Sequence, residues 1–159
     1  MKRSSRPFGF SLIELVISMA ILALLASMAM PLAETLVRRS KEQELKAALY
    51  QIRDAIDRYK MLADAGYLES SAGTSGYPAS LNMLVEGVRD TRSIKGERLY
   101  FLRRIPRDPF ADTRIDAVDT WGKRSYASSA DDPREGEDVF DVYSLARGDG
   151  LNGIAYREW

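Results

Sequence analysis

The stretch RPFGFSLIELVISMAILALL, residues 6–25, places one carboxylate, Glu14, near the start of an otherwise apolar run. The 19 residues from Leu15 to Ala33 carry no charge. As a helix they would extend for roughly 28 Å, close to the thickness of a bilayer's hydrocarbon core. A carboxylate in a membrane span costs about 2.5–3.5 kcal/mol near the bilayer centre and less towards its edge. Glu14 is therefore a candidate functional residue, and its cationic partner has to be identified.

The flanking charges predict the orientation of this run. Lys2, Arg3 and Arg6 precede it without any acidic residue, which favours a cytoplasmic N-terminus and places everything after Glu34 across the membrane. A secretory signal peptide has a shorter apolar core, of about 7–15 residues. A plain single-span anchor fits the length but gives Glu14 no role.

A partner for Glu14 arises if the chain is cut between Gly9 and Phe10. The new α-amino group of Phe10 is a cation, and Glu14 lies four residues further along the same helical face. The pair is geometrically awkward within one chain. Between neighbouring helices of an apolar bundle, the carboxylate of one chain could meet the amine of the next, and such a pair can set the register of the helices.

The string GFSLIE, Gly9 to Glu14, resembles the prepilin signature of type IV pilins and type II secretion pseudopilins. The resemblance implies cleavage after Gly9 by a prepilin peptidase, N-methylation of Phe10, and a role for Phe10 and Glu14 in subunit assembly. It also implies a helix kink at Pro31, where this family commonly carries a proline.

After Pro31 the pattern becomes amphipathic, and it predicts one helix from about Ser11 to Asp64, stopped by Gly66. A proline inside a helix kinks it without necessarily ending it. The apolar positions recur at spacings of three and four and predict a face packed on a head domain: Leu45, Leu49, Ile52, Ile56, Tyr59 and Leu62.

The rest of the chain predicts a small head. Tyr77–Gly87 has a proline near its start and apolar residues on one face, which indicates a short helix. Trp121–Ser128 and Asp138–Ala146 show the alternation of strands. The predicted fold class is α+β, with a long N-terminal α-helix, apolar in its first half, packed on a C-terminal head with a short helix and a two- or three-stranded antiparallel sheet.

Four regions are predicted in chain order. Residues 1–9 form a cytoplasmic prepilin leader and residues 10–33 a transmembrane or filament-core helix. Residues 34–65 are its amphipathic continuation, and residues 66–159 form a periplasmic globular head.

Four head motifs, YPASLNML, IPRDPF, WGKRSYA and DVFDVYSLARGDG, resemble in order the landmarks of the major pseudopilins of type II secretion. The resemblance implies a structural subunit of a helical pseudopilus that polymerises from the bacterial inner membrane into the periplasm to drive protein export. The implied partners are further copies of itself, the prepilin peptidase, other pseudopilins and the inner-membrane assembly platform, with membrane lipid around the helix before assembly.

The alternative is a type IV pilin or minor pilin that serves adhesion, motility or DNA uptake. Surface pilins often staple their terminal loop with a pair of cysteines, and this chain has no cysteine. The composition therefore favours the pseudopilin branch.

The resemblance also raises a calcium site. In calcium-binding major pseudopilins the terminal turn supplies ligands, and the matching positions here are the carbonyl of Leu145 and the side chain of Asp149. After Gly150 the only acidic residue is Glu158, whereas calcium takes six to eight oxygen ligands. The alternative, which the sequence favours, is a tight turn with two glycines at special backbone angles and two aromatic residues packing back: Gly148, Gly150, Tyr156 and Trp159. No other cofactor is expected.

Composition excludes several functions. Basic and acidic residues balance at 23 each, and no basic stripe with interleaved aromatics suggests nucleic-acid binding. Without Cys or His there is no Cys/His zinc site, no Cys nucleophile and no Ser-His-Asp triad. An enzyme would need a carboxylate pair or a Ser-Lys arrangement. The nearest candidates are Asp108, Asp112 and Asp116, and no enzymatic activity is expected. A second acidic cluster is interpreted as a solvated loop: Asp131, Asp132, Glu135, Glu137 and Asp138.

Overall fold

The computed structural model describes residues 11–69 and 75–159, without the side chains of residues 28–32. One long helix, α1 (Leu12–Asp64), is followed by a short helix and four short strands. The predicted α+β fold class is confirmed. The chain divides into two compact units, one ending at Arg39 and the other covering Ser40–Trp159.

The first unit is the N-terminal part of α1, and all of its described side chains are exposed. The helix continues through position 31 without interruption, so the kink at Pro31 stays a prediction. Over the described residues, no helix combines the length and the apolarity needed to cross a membrane. The transmembrane segment predicted over residues 10–33 is not confirmed and stays a prediction.

The second unit is built on the amphipathic part of α1. Its buried face follows the predicted stripe, with only Leu62 partly buried among the predicted positions. The fully buried side chains on this face are no more than 6% exposed: Leu45, Ala48, Leu49, Ile52, Ala55, Ile56 and Tyr59. The predicted packing of the helix on the head is therefore correct.

A glycine ends α1, as predicted. Gly66 has φ +75°, its N–H donates to the carbonyl of Ala63 at 2.9 Å, and the N–H of Tyr67 donates to the carbonyl of Leu62 at 2.9 Å. This pair of hydrogen bonds is the Schellman motif, which needs a left-handed residue that glycine adopts without penalty.

The predicted short helix is α2 (Asn82–Glu86), preceded by fully buried Leu81 and containing fully buried Leu84. It leads into an antiparallel ladder of β1 (Val88–Arg89) and β2 (Arg98–Leu99). The polar segment between these strands, residues 90–97, forms turns and irregular structure. Two-residue strands are too short to show alternation, which is why the sequence did not predict this ladder.

The two predicted strands form the second ladder. They are β3 (Trp121–Arg124) and β4 (Asp141–Ser144), which pair antiparallel with Trp121 opposite Ser144. Both are shorter than predicted, and the head holds two separate two-stranded sheets instead of one. Short 3₁₀ helices precede β3, at Ala117–Thr120, and follow the terminal turn, at Tyr156–Glu158.

Candidate functional site

The candidate assembly site lies at the start of α1. Glu14 is exposed in the first turn, where the partial positive charge of the helix N-terminus favours a carboxylate. Its carbonyl accepts a hydrogen bond from Ser18 Oγ at 2.8 Å, and the N–H of Leu15 donates to Ser11 at 3.1 Å. Gly9 and Phe10, the predicted cleavage and methylation site, lie outside the described residues, so the pairing of Glu14 with the new amine stays a prediction.

Apolar side chains surround the helix beside Glu14. Between residues 12 and 25, large apolar residues fall on every side of a 3.6-residue helix, although Glu14 shares its own side with Ser11 and Ser18. A helix that is apolar all round belongs in a protein core, a bundle or a membrane. The large apolar side chains of this segment are 53–81% exposed: Leu12, Ile13, Leu15, Val16, Ile17, Met19, Ile21, Leu22, Leu24 and Leu25. The arrangement is suited to packing against other apolar helices or lipid.

The terminal turn brings together the two residues of the predicted calcium site. Leu145 and Asp149 line one hollow of about 470 Å³, which Arg147 and Arg157 also line. The hollow thus combines two carboxylates, of Asp132 and Asp149, with two guanidinium groups that oppose the binding of a divalent cation. Over the described residues, no three acidic side chains come close enough to hold a metal ion. Calcium binding at Leu145 and Asp149 stays a prediction.

The tight-turn interpretation is correct in outline and wrong in one detail. Gly148 has φ +98°, as expected, but Gly150 is outside the left-handed region. Gly150 is needed for a different reason, because a Cβ atom there would collide with the indole ring of Trp159. Tyr156 is buried and its ring meets that of Trp159 edge-on, with centroids 5.2 Å apart, so the predicted aromatic packing is confirmed.

Two charged residues of α1 hold this turn. Glu42 is 8% exposed, and its Oε1 accepts hydrogen bonds from the Tyr156 hydroxyl at 2.9 Å and the Leu151 N–H at 2.8 Å. Its position three residues before Leu45, on the apolar stripe, was the available signal.

Arg53 is the second of these residues. Its Nε donates to Asp141 Oδ1 at 2.7 Å, and its Nη2 donates to the carbonyl oxygens of Val142 at 3.0 Å and Trp159 at 2.7 Å. One planar guanidinium thus joins α1 to β4 and to the last residue of the sequence.

The carboxylates considered for catalysis have structural roles or lie exposed. Asp108 is 1% exposed, and its carboxylate accepts hydrogen bonds from the Ser144 hydroxyl and the Phe110 N–H. It therefore fixes its own loop to strand β4. Asp112 is exposed and pairs with Arg114, which lowers the pKa of its carboxyl through the hydrogen bonds that this arginine donates. Asp116 is exposed before the first 3₁₀ helix.

Comparison with known proteins gives one match. Residues 5–30 match the family model of the prokaryotic N-terminal methylation motif. No curated protein and no solved structure matches the chain. The match covers Gly9, Phe10 and Glu14 and supports, in general terms, a place for this chain among the type IV pilin-like proteins.

Proposed function

We propose that this chain is a structural subunit of the helical pseudopilus of a type II secretion system. The observation that carries the proposal is the N-terminal methylation motif, which implies a type IV pilin-like subunit processed by prepilin peptidase. The head motifs that resemble major pseudopilins and the lack of cysteine favour the pseudopilus over the pilus. Subunits of this kind are structural, so we propose no enzymatic activity.

The chemistry of the assembly site supports polymerisation. In the proposed precursor, lipid of the inner membrane surrounds the apolar helix, the N-terminus is cytoplasmic and the head is periplasmic. Assembly moves the helix from lipid into a bundle of like helices, so the hydrophobic effect contributes little and close packing with polar pairing must supply the affinity. Glu14 of one subunit then pairs with the amine of Phe10 in the next, and contacts between different surfaces generate an open helical filament.

The first test is the mass of the N-terminal peptide from protein in its native membrane. The proposal expects a chain that begins at N-methylated Phe10. A chain that begins at Met1, in cells whose prepilin peptidase is active, would overturn it.

The role of Glu14 is tested by Glu14→Gln, with Glu34→Gln as the matched control at the other end of the apolar run. Both variants should be processed and should keep a folded head. We expect filaments from Glu34→Gln and none from Glu14→Gln, because only Glu14 faces the amine of a neighbouring subunit. Normal filaments from Glu14→Gln would contradict the proposed pairing of Glu14 with the amine of Phe10.

Deletion of the gene separates the two branches. If the deletion strain no longer exports enzymes but keeps twitching motility and DNA uptake, the pseudopilus is supported. The reverse result supports the alternative, a type IV pilin or minor pilin.

A further inference from the structure

The hairpin formed by β1 and β2, residues 89–98, is basic and carries an unfavourable charge arrangement. Arg89 lies directly opposite Arg98 in the ladder, and like charges at such positions destabilise a sheet. Glu69 and Glu86 line the same hollow as these arginines, but in the described part of the chain no ion pair joins them. Two acidic residues accompany the four basic ones, which are Arg89, Arg92, Lys95 and Arg98. The arrangement favours an anionic partner.

The tip of this basic hairpin presents an exposed apolar side chain on a hydrogen-bonded turn. Ile94 is fully exposed, at 103%. The turn around it is held by Asp90, whose carboxylate accepts from the Arg92 N–H at 2.9 Å and from Arg92 Nη2 at 2.8 Å. The N–H of Asp90 donates to the carbonyl of Glu97 at 2.9 Å. A preorganised tip loses little conformational entropy when it binds.

Two cations of the hairpin are available to a partner. Arg92 is already paired with Asp90, and Arg98 donates to the carbonyl of Gly87. Arg89 and Lys95 are exposed and make no ion pair with any described residue. The guanidinium of Arg89 reaches the turn, since a Cβ atom at Gly96 would lie 3.8 Å from the Arg89 Nε.

A complementary surface exists on the same chain. The acidic loop, residues 131–137, carries one basic and four acidic side chains. Asp132 Oδ2 pairs with Arg134 Nη2 at 2.5 Å, and Glu135 Oε1 lies 3.6 Å from Lys123 Nζ. Asp131 and Glu137 are exposed and make no ion pair within the described part of the chain.

An aromatic hollow of about 510 Å³ adjoins the acidic loop. Tyr77, Tyr126 and Ala127 line it together with Glu137 and Asp138. Tyr126 is 63% exposed and stacks on Tyr77 with ring centroids 5.5 Å apart. The hollow has room for a branched aliphatic side chain and carries carboxylates at its edge.

We infer that the basic hairpin of one chain docks onto the acidic loop of a second copy, with Ile94 in the aromatic hollow. Lys95 and Arg89 then face Glu137 and Asp131. A second copy is the occupant because the charge complement and the hollow both belong to this chain. The inference rests on the proposed function in one respect, since a contact between two different surfaces propagates along an open filament.

Engineered cysteines test this contact, because the chain has none of its own. Full-length Ile94→Cys with one tag is co-expressed with full-length Ala127→Cys bearing another tag, in native membranes under mild oxidation. We expect the mixed disulfide at roughly ten times the yield of the control pair Ile94→Cys and Thr113→Cys, because Thr113 is exposed outside the hollow. Equal yields would overturn the inference.

Charge reversal gives a second readout on the same cysteine pair. Lys95→Glu in one partner, or Glu137→Lys in the other, should each lower the yield roughly tenfold, and the two together should restore it. The yield should also fall in 1 M salt, where the Debye length is only about 3 Å. Failure of the combined reversal to restore cross-linking would contradict the inference.

Two further outcomes remain distinct. If cross-linking stays at the control yield while Lys95→Glu weakens binding to phosphatidylserine vesicles, the hairpin faces lipid and the inference is wrong. The N-terminal mass is measured in the same samples. If Phe10 is methylated but cross-linking stays at the control yield, only the docking inference is wrong. If the N-terminus is unprocessed but cross-linking depends on the charges, only the proposed function is wrong.

Discussion

Glu42 illustrates how one charged residue of α1 secures the end of the head. Its carboxylate is buried yet receives two donors, the Tyr156 hydroxyl and the Leu151 N–H. Buried polar groups are tolerated when they are hydrogen-bonded, and removing one partner leaves the others unsatisfied. The residue therefore links helix and terminal turn at a site where a simple reading of polarity expects solvent.

Replacing Glu42 with alanine should lower the free energy of unfolding by about 1–3 kcal/mol, since the buried Tyr156 hydroxyl and the partly buried Leu151 N–H lose their acceptor. Urea unfolding of the detergent-solubilised chain, followed by the fluorescence of Trp121 and Trp159, measures the loss. The control is Glu44→Ala, an exposed position whose contact with Ser40 is 3.5 Å long, with an expected change within about 0.5 kcal/mol. Equal losses in both variants would contradict the assigned role of Glu42.

Asp138 gives a prediction on pH. Partial burial by itself would raise the pKa of Asp138, but hydrogen bonds from Ser75, the Tyr126 N–H and Ser125 Oγ hold it below its ordinary value of 3.8. A carboxyl whose pKa is lower in the folded state contributes stability above the unfolded-state pKa, and this contribution disappears as the pH falls through the folded-state pKa.

The stability difference between wild type and Asp138→Asn should therefore be constant above pH 3.8 and shrink at lower pH. Chemical unfolding at a series of pH values measures this difference. Ser125→Ala removes one of the three hydrogen bonds and should reduce the pH dependence without abolishing it. If the stability difference grows as the pH falls, the pKa of Asp138 is raised on folding and the prediction is wrong.

At the scale of elements, the end of α1 is fixed by backbone conformation. Gly66 has φ +75°, and a Cβ atom there would meet nothing within 4 Å. Its carbonyl accepts a hydrogen bond from the Thr91 hydroxyl at 2.8 Å, which ties the helix end to the basic hairpin. Strain is thus the only direct penalty for a side chain at this position.

Gly66→Ala should cost about 1–2 kcal/mol of stability, the price of a left-handed conformation for an L-residue. Gly66→Asn should cost less, because asparagine tolerates that region better. Thermal unfolding of the two variants beside wild type measures both. An alanine variant as stable as wild type would mean that the helix ends in another way.

The join between α1 and β4 depends on the shape of one side chain. Arg53 donates to a carboxylate and two carbonyls at once, through a planar fork that lysine lacks. Arg53→Lys should therefore lose about 1–3 kcal/mol although the charge is kept. Arg58→Lys is the matched control five residues later, where, among the described residues, only the bond from Nη2 to the carbonyl of Phe101 ties the side chain to the head. A larger loss at Arg58 would contradict this assignment.

At the scale of the whole molecule, the two units differ in kind. Every buried apolar residue in the described part of the chain lies in the second unit, from Leu45 to Tyr156. The first unit has no core of its own within the described residues and exposes large apolar side chains instead. The second unit thus has the buried core of a folded domain, whereas the described side chains of the first unit are exposed.

A fragment covering residues 40–159 should therefore fold by itself. It should show a near-ultraviolet circular dichroism signal from fixed aromatic side chains and a single cooperative unfolding transition. It carries the whole described core, including the buried Trp121, and both ladders. Residues 1–39 alone should associate or bind detergent. A fragment 40–159 without fixed tertiary structure would show that the core depends on the N-terminal helix.

Local patterns in the sequence were enough for much of this description. The stripe from Leu45 to Tyr59 predicted the buried helix face, Gly66 predicted its end, and the alternation around Trp121 and Val142 predicted the paired strands. Each of these features depends on neighbours within a few residues along the chain. The string from Gly9 to Glu14 likewise lies within the matched N-terminal methylation motif, residues 5–30.

Contacts between distant segments were decided only by the tertiary structure. Glu42 meets Leu151 and Tyr156 more than a hundred positions away, and the Gly150 backbone needs space because the Trp159 ring folds back over it. The two-residue strands β1 and β2 and the opposition of Arg89 and Arg98 also appear only in the fold. The sequence by itself determined the helix, its apolar and amphipathic halves and the motif at its start, since these follow from local periodicity and residue type. The tertiary structure alone decided which charges are buried, where the backbone approaches an aromatic ring and which surfaces stay exposed. These features depend on which distant segments come into contact, and the local sequence pattern does not encode those contacts.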